Sequence, residues 1–293
     1  MDIKYTEKFR ETIDPYSLSF PHFKLKSILG YPPAGNDVFY VNGDFMGKNI
    51  NAFLKVERQN GADIENELST LAALKFDKKP QVLEFSFDEP KYILTLEAEG
   101  ERLSQIVGNN ENMQSLEYME EYGETLAYIH SLKIDAQEVK HRKFFDIPEN
   151  TGLDDMESFL QENAAIIKSA YQNKCFCHGD AHYANILWKN HHISCVLDYE
   201  LSGIGIREFD MAWAVFLRPS QKFLKTEQEI DAFLLGYNKL HYYSELAFMY
   251  YYVLIGTRFY NMGDEEYKQD VRLLLDMAVK RYKKGLKIKT FKI

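Results

Sequence analysis

Short apolar runs separated by turn residues mark the first hundred positions of this chain. Val38-Phe39-Tyr40-Val41 and Ala52-Phe53-Leu54-Lys55-Val56 are β-branched and aromatic, as strands should be, and Tyr92-Ile93-Leu94-Thr95-Leu96 repeats that pattern. The last of these runs into an acidic, glycine-ended link, Glu97-Ala98-Glu99-Gly100. From Asp63 to Leu74 the period changes: Leu68, Leu71 and Leu74 recur at three-residue intervals and predict the buried side of a helix. Ile186-Leu187-Trp188 and Ile193-Ser194-Cys195-Val196-Leu197 predict a hairpin turning at Lys189 to His192, and Cys175-Phe176-Cys177 reads as a strand entering the segment before it. Leu246 to Thr257, flanked by Glu245 and Arg258, is the richest apolar run and falls short of the ~18 residues a membrane span needs.

Composition narrows the class. A chain of 293 residues that is 45% hydrophobic can bury a sizeable core and is long enough for two lobes. Its start, Met-Asp-Ile-Lys, has no apolar signal core, and three cysteines, an odd count, fit a reducing compartment, so a cytoplasmic location is expected. Cys175 and Cys177 are read as buried thiols rather than a metal pair. Neither a membrane nor a nucleic acid is an expected partner, and the protein is expected to be a monomer or homodimer.

The chemistry is concentrated between residues 178 and 200. His178-Gly179-Asp180-Ala181-His182-Tyr183-Ala184-Asn185 is followed by Leu197-Asp198-Tyr199-Glu200. Phosphoryl transfer asks for a group that positions the acceptor, carboxylate and amide oxygens for Mg, and cations on the nucleotide phosphates. Asp180 and Asn185 stand five apart and Asp198 follows thirteen later, the spacing of a kinase catalytic loop that leads through a hairpin to a metal-binding aspartate. The hairpin would return the chain to its start, putting Asp198 beside Asn185 so that both share a hard cation, while Asp180 faces an acceptor hydroxyl.

This string, continued by Arg207-Glu208-Phe209-Asp210-Met211-Ala212, resembles the aminoglycoside phosphotransferase and choline kinase family of small-molecule kinases. Asp-Tyr-Glu in place of Asp-Phe-Gly, with no Ala-Pro-Glu later, disfavours a protein substrate. The resemblance covers most of the chain and implies an α+β, protein-kinase-like bilobal fold. A small antiparallel β-sheet N-lobe (1–97) would precede a mainly helical C-lobe (98–293). It implies ATP or GTP as phosphoryl donor with Mg, Lys55 on the α- and β-phosphates, and Glu67 as the partner that orients Lys55. The turn-rich loop Gly30 to Asp37, with Gly35 in it, would cover the nucleotide, and backbone groups of Glu97 and Ala98 would meet adenine. His178 is expected to anchor the loop and Asp210 to accept hydrogen bonds from its backbone.

Charge bears on the acceptor. Residues 101–165 hold fourteen acids and five bases, which accounts for the whole net charge of −9. A negative surface there would attract a cationic small-molecule hydroxyl acceptor such as an aminoglycoside or amino sugar. Glu117, Glu120, Glu121 and Glu124 read as a solvated helix face opposite Leu116, Gly123 and Leu126, whereas Asp154, Asp155, Glu157 and Glu162 are the better acceptor candidates. Against that reading stands the acid-free basic tail Lys280, Arg281, Lys283, Lys284, Lys287, Lys289 and Lys292, expected on solvent. The crowded Tyr242, Tyr243, Tyr250, Tyr251, Tyr252, Phe259 and Tyr260 fit a core better than a cage for a quaternary ammonium. Two alternatives stay open: a metabolic kinase for choline, ethanolamine, homoserine or methylthioribose, and a non-catalytic nucleotide-binding pseudokinase module.

Overall fold

The computed structural model describes residues 6–58, 63–170 and 174–290. Strands β1 (Phe23–Gly30), β2 (Asp37–Phe45) and β3 (Lys48–Val56) are followed by helix α1 (Ile64–Ala73) and then strands β4 (Val82–Ser86) and β5 (Tyr92–Leu96). The five strands form one antiparallel sheet in the order β1-β2-β3-β5-β4. A two-residue turn at Met46 and Gly47, both at positive φ (49° and 83°), joins β2 to β3, which suits the twist of an antiparallel pair. Side chains alternate across a strand, so Phe39, Val41, Ala52, Leu54 and Val56 share one buried cluster with Phe23, Tyr92 and Leu94. Lys55, out of phase with Leu54 and Val56, emerges on the opposite side of the sheet, where α1 lies.

Helix α1 begins where Asp63 Oδ1 accepts the Asn66 amide at 2.9 Å. Its buried residues include Leu68 and Leu71, with Leu74 buried just after it, as the three-residue spacing predicts. Asn66 Nδ2 donates to the carbonyls of Glu200 (3.0 Å) and Ser202 (2.9 Å), and the hydroxyls of Thr70 and Ser202 meet at 2.8 Å. The helix is thereby tied to the chain that follows Asp198.

The rest is mainly helical. Strand β6 (Glu101–Arg102) and helices α2 (Leu103–Val107), α3 (Leu116–Ser131) and α4 (Asp154–Ala170) lead to strands β7 (Lys174–Cys177), β8 (Ile186–Lys189), β9 (His192–Val196) and β10 (Gly203–Ile206). Helices α5 (Arg207–Val215), α6 (Glu227–Asn238), α7 (Glu245–Phe259) and α8 (Glu265–Thr290) complete it. In α7 only Glu245 and Arg258 are not buried, and a helix apolar all round belongs in a core. Helices α3 and α6 pack backbone to backbone: a Cβ on Gly123 would lie 1.9 Å from the Phe233 carbonyl oxygen, and one on Gly236 1.9 Å from that of Glu120. No helix among the described residues is long and apolar enough to cross a membrane.

Candidate active site

Lys55 sits at the centre of the site. Its Nζ lies 2.8 Å from Glu67 Oε2, 2.8 Å from Asp198 Oδ1 and 2.7 Å from Glu200 Oε2, so α1 and the chain after β9 meet on one ammonium. Burial would lower the lysine pKa, but the charges of Glu67, Asp198 and Glu200 drive it well above the ordinary value. Burial also acts on the acids. It raises Glu67 and Glu200 against the pull of Lys55, whereas at Asp198 the lysine outweighs burial and holds the carboxyl below its usual range. Asn36 Nδ2 donates to Glu200 Oε2 at 2.8 Å, which joins the loop between β1 and β2 to the same cluster.

The loop from His178 to Asn185 is held from beneath by buried polar groups. Asp210, on α5, accepts the amides of His178 (3.0 Å, Oδ2) and Gly179 (2.9 Å, Oδ1), the structural role expected for it. His130 Nε2 lies 3.1 Å from Asp210 Oδ2. Although burial opposes it, the His130 hydrogen bond holds the Asp210 carboxyl below its ordinary pKa. His178 anchors the loop as expected, with Nε2 3.0 Å from the Leu197 carbonyl, and burial lowers its pKa. Gly179 has φ of 82° and would place a Cβ 2.1 Å from the Leu201 carbonyl oxygen, so only glycine fits. Tyr122 donates to the Ala181 carbonyl and, at 3.0 Å, to that of Ala214. Arg142 donates to the Gly179 carbonyl at 2.8 Å, and Arg102 Nε to the Ala184 carbonyl at 2.9 Å.

Held in this way, Asp180 receives the Trp213 indole N–H on Oδ1 at 2.6 Å. Asn185 Nδ2 donates to the Asp180 carbonyl at 2.9 Å and to its Oδ2 at 3.3 Å. Burial pushes the Asp180 pKa up, the Trp213 hydrogen bond pulls it down, and the Asp198 charge adds to the rise. His182 Nδ1 accepts the Ala184 amide at 3.3 Å, and burial, aided by Arg218, pushes its pKa to about 4, so this imidazole is neutral. The Leu197 amide donates to the Asn185 carbonyl at 2.7 Å, closing the β8–β9 hairpin so that Asp198 follows directly beside Asn185. Asp198 itself sits at φ of 67°, a left-handed conformation that aspartate tolerates better than most residues.

This donor set suits a hard divalent cation. Asn185 and Asp198 offer amide and carboxylate oxygens, and Glu67, Asp198 and Glu200 place oxygens within 4.8 Å of one another. Three carboxylates around one ammonium leave a local negative excess that such an ion would offset.

The structure brings Lys55, Glu67, Asp180, Asn185 and Asp198 together. Gly35 is joined to them only through its neighbour Asn36, and its carbonyl accepts from Arg10 at 2.8 Å. At the end of β5, the Glu97 carboxylate takes Tyr40 (2.9 Å) and Asn51 (3.1 Å), and the Glu97 amide donates to the Asn51 carbonyl at 3.2 Å. That amide is therefore committed to the sheet.

Several expectations about surface charge need correction. Glu121 is not a solvated residue, because it accepts from Lys78 (2.9 Å) and from the Ile193 amide (3.0 Å), and it lies 2.9 Å from His192 Nδ1. Glu120 and Glu124 stay on solvent as expected, where they pair with Lys239 at 2.8 and 3.1 Å, whereas Leu116, expected on the buried side, is 38% exposed. Asp155 pairs with Arg272 at 2.6 Å, and Glu157 accepts the Asn150 and Thr151 amides at 3.2 and 2.7 Å, so neither is free for an acceptor. Arg281 is not on bare solvent but meets Asp231 (2.5 Å) and Glu245 (2.8 Å); the Lys289 side chain and Lys292 lie outside the described residues. Tyr250, Tyr251, Tyr252 and Phe259 are core, as expected, while Tyr242 is 88% exposed. Cys175 and Cys177 lie with sulfurs 3.8 Å apart near His130, with Cys177 buried and Cys175 partly so.

Four contributors escaped the sequence reading: Glu200, Asn36, Trp213 and Arg142. Glu200 stood in the quoted string two residues after Asp198, and Trp213 stands one helical turn after Asp210. Spacing hinted at both, but nothing local to Asn36 or Arg142 marks either.

An antiparallel sheet with one helix, followed by a helical body carrying this loop and hairpin, is the protein-kinase-like fold, and its site is of the phosphotransferase class. Residues 32–247 match the phosphotransferase enzyme family (APH), and the chain belongs to that family. None of the curated proteins matches it. Among solved structures it is similar to spectinomycin phosphotransferase APH(9)-Ia in complex with ADP and spectinomycin, at 16% identity and TM-score 0.51, covering 89% of this chain and 88% of that one. It is also similar to choline kinase LicA from Streptococcus pneumoniae (15% identity, TM-score 0.58, 90% and 93% covered). A third is a thermostable mutant of aminoglycoside phosphotransferase APH(4)-Ia in a ternary complex with AMP-PNP and hygromycin B (15% identity, TM-score 0.60, 88% and 95% covered). The chain is therefore a phosphotransferase.

Proposed function

We propose that this protein transfers the γ-phosphoryl group of ATP or GTP, in the presence of Mg, to a hydroxyl of a small molecule bound beside Asp180. The observation that carries this reading is the convergence of Glu67, Asp198 and Glu200 on Lys55, beside a loop that presents Asp180 and Asn185. A non-catalytic nucleotide-binding module has no physical need for the whole set, which weighs against the pseudokinase alternative.

In this reading the sheet and α1 up to Glu97 form the nucleotide lobe. Lys55 binds the α- and β-phosphates and Glu67 orients it. The Gly35 loop covers the phosphates, and the Glu97 carbonyl and Ala98 amide meet the base. Asn185 and Asp198 would hold Mg, which when bound supplies positive charge against the phosphate oxygens. Asp180 orients the acceptor hydroxyl in line with the γ-phosphorus. The acceptor oxygen–phosphorus bond forms as the bond from phosphorus to the β–γ bridging oxygen breaks, the hydroxyl proton passes to Asp180, and the nucleoside diphosphate leaves. Burial lifts the Asp180 pKa toward a proton acceptor's range, and the Trp213 N–H fixes which oxygen faces the acceptor.

A cationic acceptor such as an aminoglycoside or amino sugar drew its support from the acids of residues 101–165. With Asp155 bound to Arg272 and Glu157 taken up by the Asn150 and Thr151 amides, two of the four better acceptor candidates are engaged, while Asp154 and Glu162 stay exposed. The test is consumption of ATP and GTP, supplied separately with Mg, against aminoglycosides, choline, ethanolamine, homoserine, methylthioribose and amino sugars, with Asp180→Ala as control. Acceptor-dependent turnover absent from the control is expected. A protein that binds neither nucleotide would overturn the reading.

A further inference from the structure

The chain has nine arginines, and four of them are neutralised by carboxylates. Arg10 and Arg58 share Asp37, Arg272 takes Asp155 and Asp276, and Arg281 takes Asp231 and Glu245. Near Asp180 the pattern stops. Among the described residues, Arg142, Arg218 and Arg258 have no carboxylate within 4.0 Å, although acids outnumber bases by 44 to 35.

These three come from separate parts of the chain and converge on one aromatic cluster. Trp213 and Phe144 have ring centroids 4.7 Å apart, Phe144 and Phe259 5.3 Å, and Trp213 and Phe259 5.8 Å. The Arg218 guanidinium lies 4.5 Å from both the Trp213 and Phe259 rings, Arg142 lies 5.1 Å from Trp213, and Arg258 lies 5.9 Å from Phe144. Backbone carbonyls take some donors: Gly179 from Arg142 (2.8 Å), Trp213 and Phe216 from Arg218 (2.9 Å each), and Asp146 from Arg258 (2.9 Å). The Nε atoms of Arg142 and Arg258 are buried with no partner.

Magnitudes argue that something is owed to these cations. A guanidinium over an aromatic face is stabilised only modestly. Taking a charge out of water costs more than that contact returns when no counter-charge meets it. Burial accordingly lowers the pKa of both Arg142 and Arg218. The charges of Asp180 and Asp210 reach Arg142, but the oxygens of Asp180 are already engaged by Trp213 and Asn185, and those of Asp210 by the His178 and Gly179 amides. Arg102 and Arg207 also end on carbonyls, and Arg102 adds positive field at His182 and Tyr183.

We propose that this wall of Arg142, Arg218 and Arg258 around Phe144, Trp213 and Phe259 is the acceptor subsite, and that the acceptor is a hydroxyl compound bearing a carboxylate or phosphate group. A planar guanidinium pairs an oxyanion through two parallel donors, which suits both groups. The oxyanion pairs with the arginines, the aromatic rings cover the carbon skeleton, and the hydroxyl is left toward Asp180. This rests on the phosphotransferase reading above and names the charge of its acceptor.

The test is binding to the full chain, by calorimetry and tryptophan fluorescence, of charge-matched sets: glycerate, glycerol 3-phosphate, glycerol and serinol, then gluconate, glucose 6-phosphate, glucose and glucosamine. Mg-AMP-PNP affinity is measured separately. The anionic members of at least one set are expected to bind tenfold or more tightly than their neutral and cationic partners, with the carboxylate and phosphate arms identifying the anion. Arg258→Gln should weaken that binding about tenfold and leave Mg-AMP-PNP affinity unchanged, and Arg258→Lys should restore part of it. Charge-blind binding, preference for the amine, or no oxyanion binding at all overturns the proposal. So does a loss of nucleotide affinity in the arginine variants, which would assign the wall to the donor phosphates. Failure of Mg-AMP-PNP to bind the unaltered chain would instead overturn the phosphotransferase reading, with oxyanion binding still measured beside it.

Discussion

The Trp213 indole N–H donates to Asp180 Oδ1 at 2.6 Å, across a buried interface between α5 and the catalytic loop. This bond opposes the burial that raises the Asp180 pKa. Trp213→Phe keeps a ring for the neighbouring guanidiniums and removes only the donor. Without it the Asp180 pKa rises further, so the acid limb of the kcat–pH profile moves to higher pH, by about one pH unit for a hydrogen bond worth ~1.4 kcal/mol. An unchanged profile would mean that the bond does not act on the reacting carboxylate.

In the proposed reading, Asp180 and Asp198 separate chemistry from nucleotide binding. Asp180→Ala is expected to lower kcat by roughly 10²–10⁴ with Mg-nucleotide affinity kept. Asp198→Ala removes a contact to Lys55 and a cation ligand, so it should weaken Mg-nucleotide binding as well. Isothermal titration beside steady-state kinetics reads both effects. Normal turnover in both variants would refute the site.

Lys55→Met leaves Glu67, Asp198 and Glu200 together without their cation. Removing one partner from such a buried network costs about 3–5 kcal/mol, and the thermal midpoint should fall accordingly at pH 7. The sign of its pH dependence follows from the acids. Glu67 and Glu200 already have raised pKa values, and losing Lys55 raises them further. Lowering the pH protonates them and relieves the repulsion, so the deficit measured at pH 7 should shrink by pH 5. A deficit that grows on acidification would contradict this account.

Helices α3 and α6 touch through glycine. Gly123→Ala and Gly236→Ala each force a methyl to 1.9 Å from a carbonyl oxygen of the facing helix. Either change is expected to cost roughly 3 kcal/mol through backbone displacement, measured by denaturant unfolding. The corresponding change at Gly108, where nothing lies within 4 Å but φ is 52°, would cost only its backbone strain.

Much of the site was legible because local spacing carried it. Asp180, Asn185 and Asp198 belong to one loop and one hairpin, and a hairpin's length fixes where its ends meet. Lys55 is the one charged residue in the apolar run Ala52 to Val56, and the family resemblance, not the helix period, implied Glu67 as its partner. Asp37 to Val56 folded as a hairpin longer than its two apolar cores suggested, since polar residues such as Asn42 and Asn49 extend the pairing on the exposed face.

What the sequence determined by itself was the class of chemistry and the elements that carry it, because the loop, the hairpin and the helix period depend on residues near one another in the chain. Only the tertiary structure decided which charges are spent and which remain. Glu200 reaches Lys55 across 145 positions, Arg142 and Arg258 reach the rings beside Asp180 from opposite flanks of it, and Glu120, Glu121, Glu124 and Asp155 turn out to be engaged by Lys78, Lys239 and Arg272. A net charge counts side chains without regard to their partners, and partners at long sequence separation are chosen by packing.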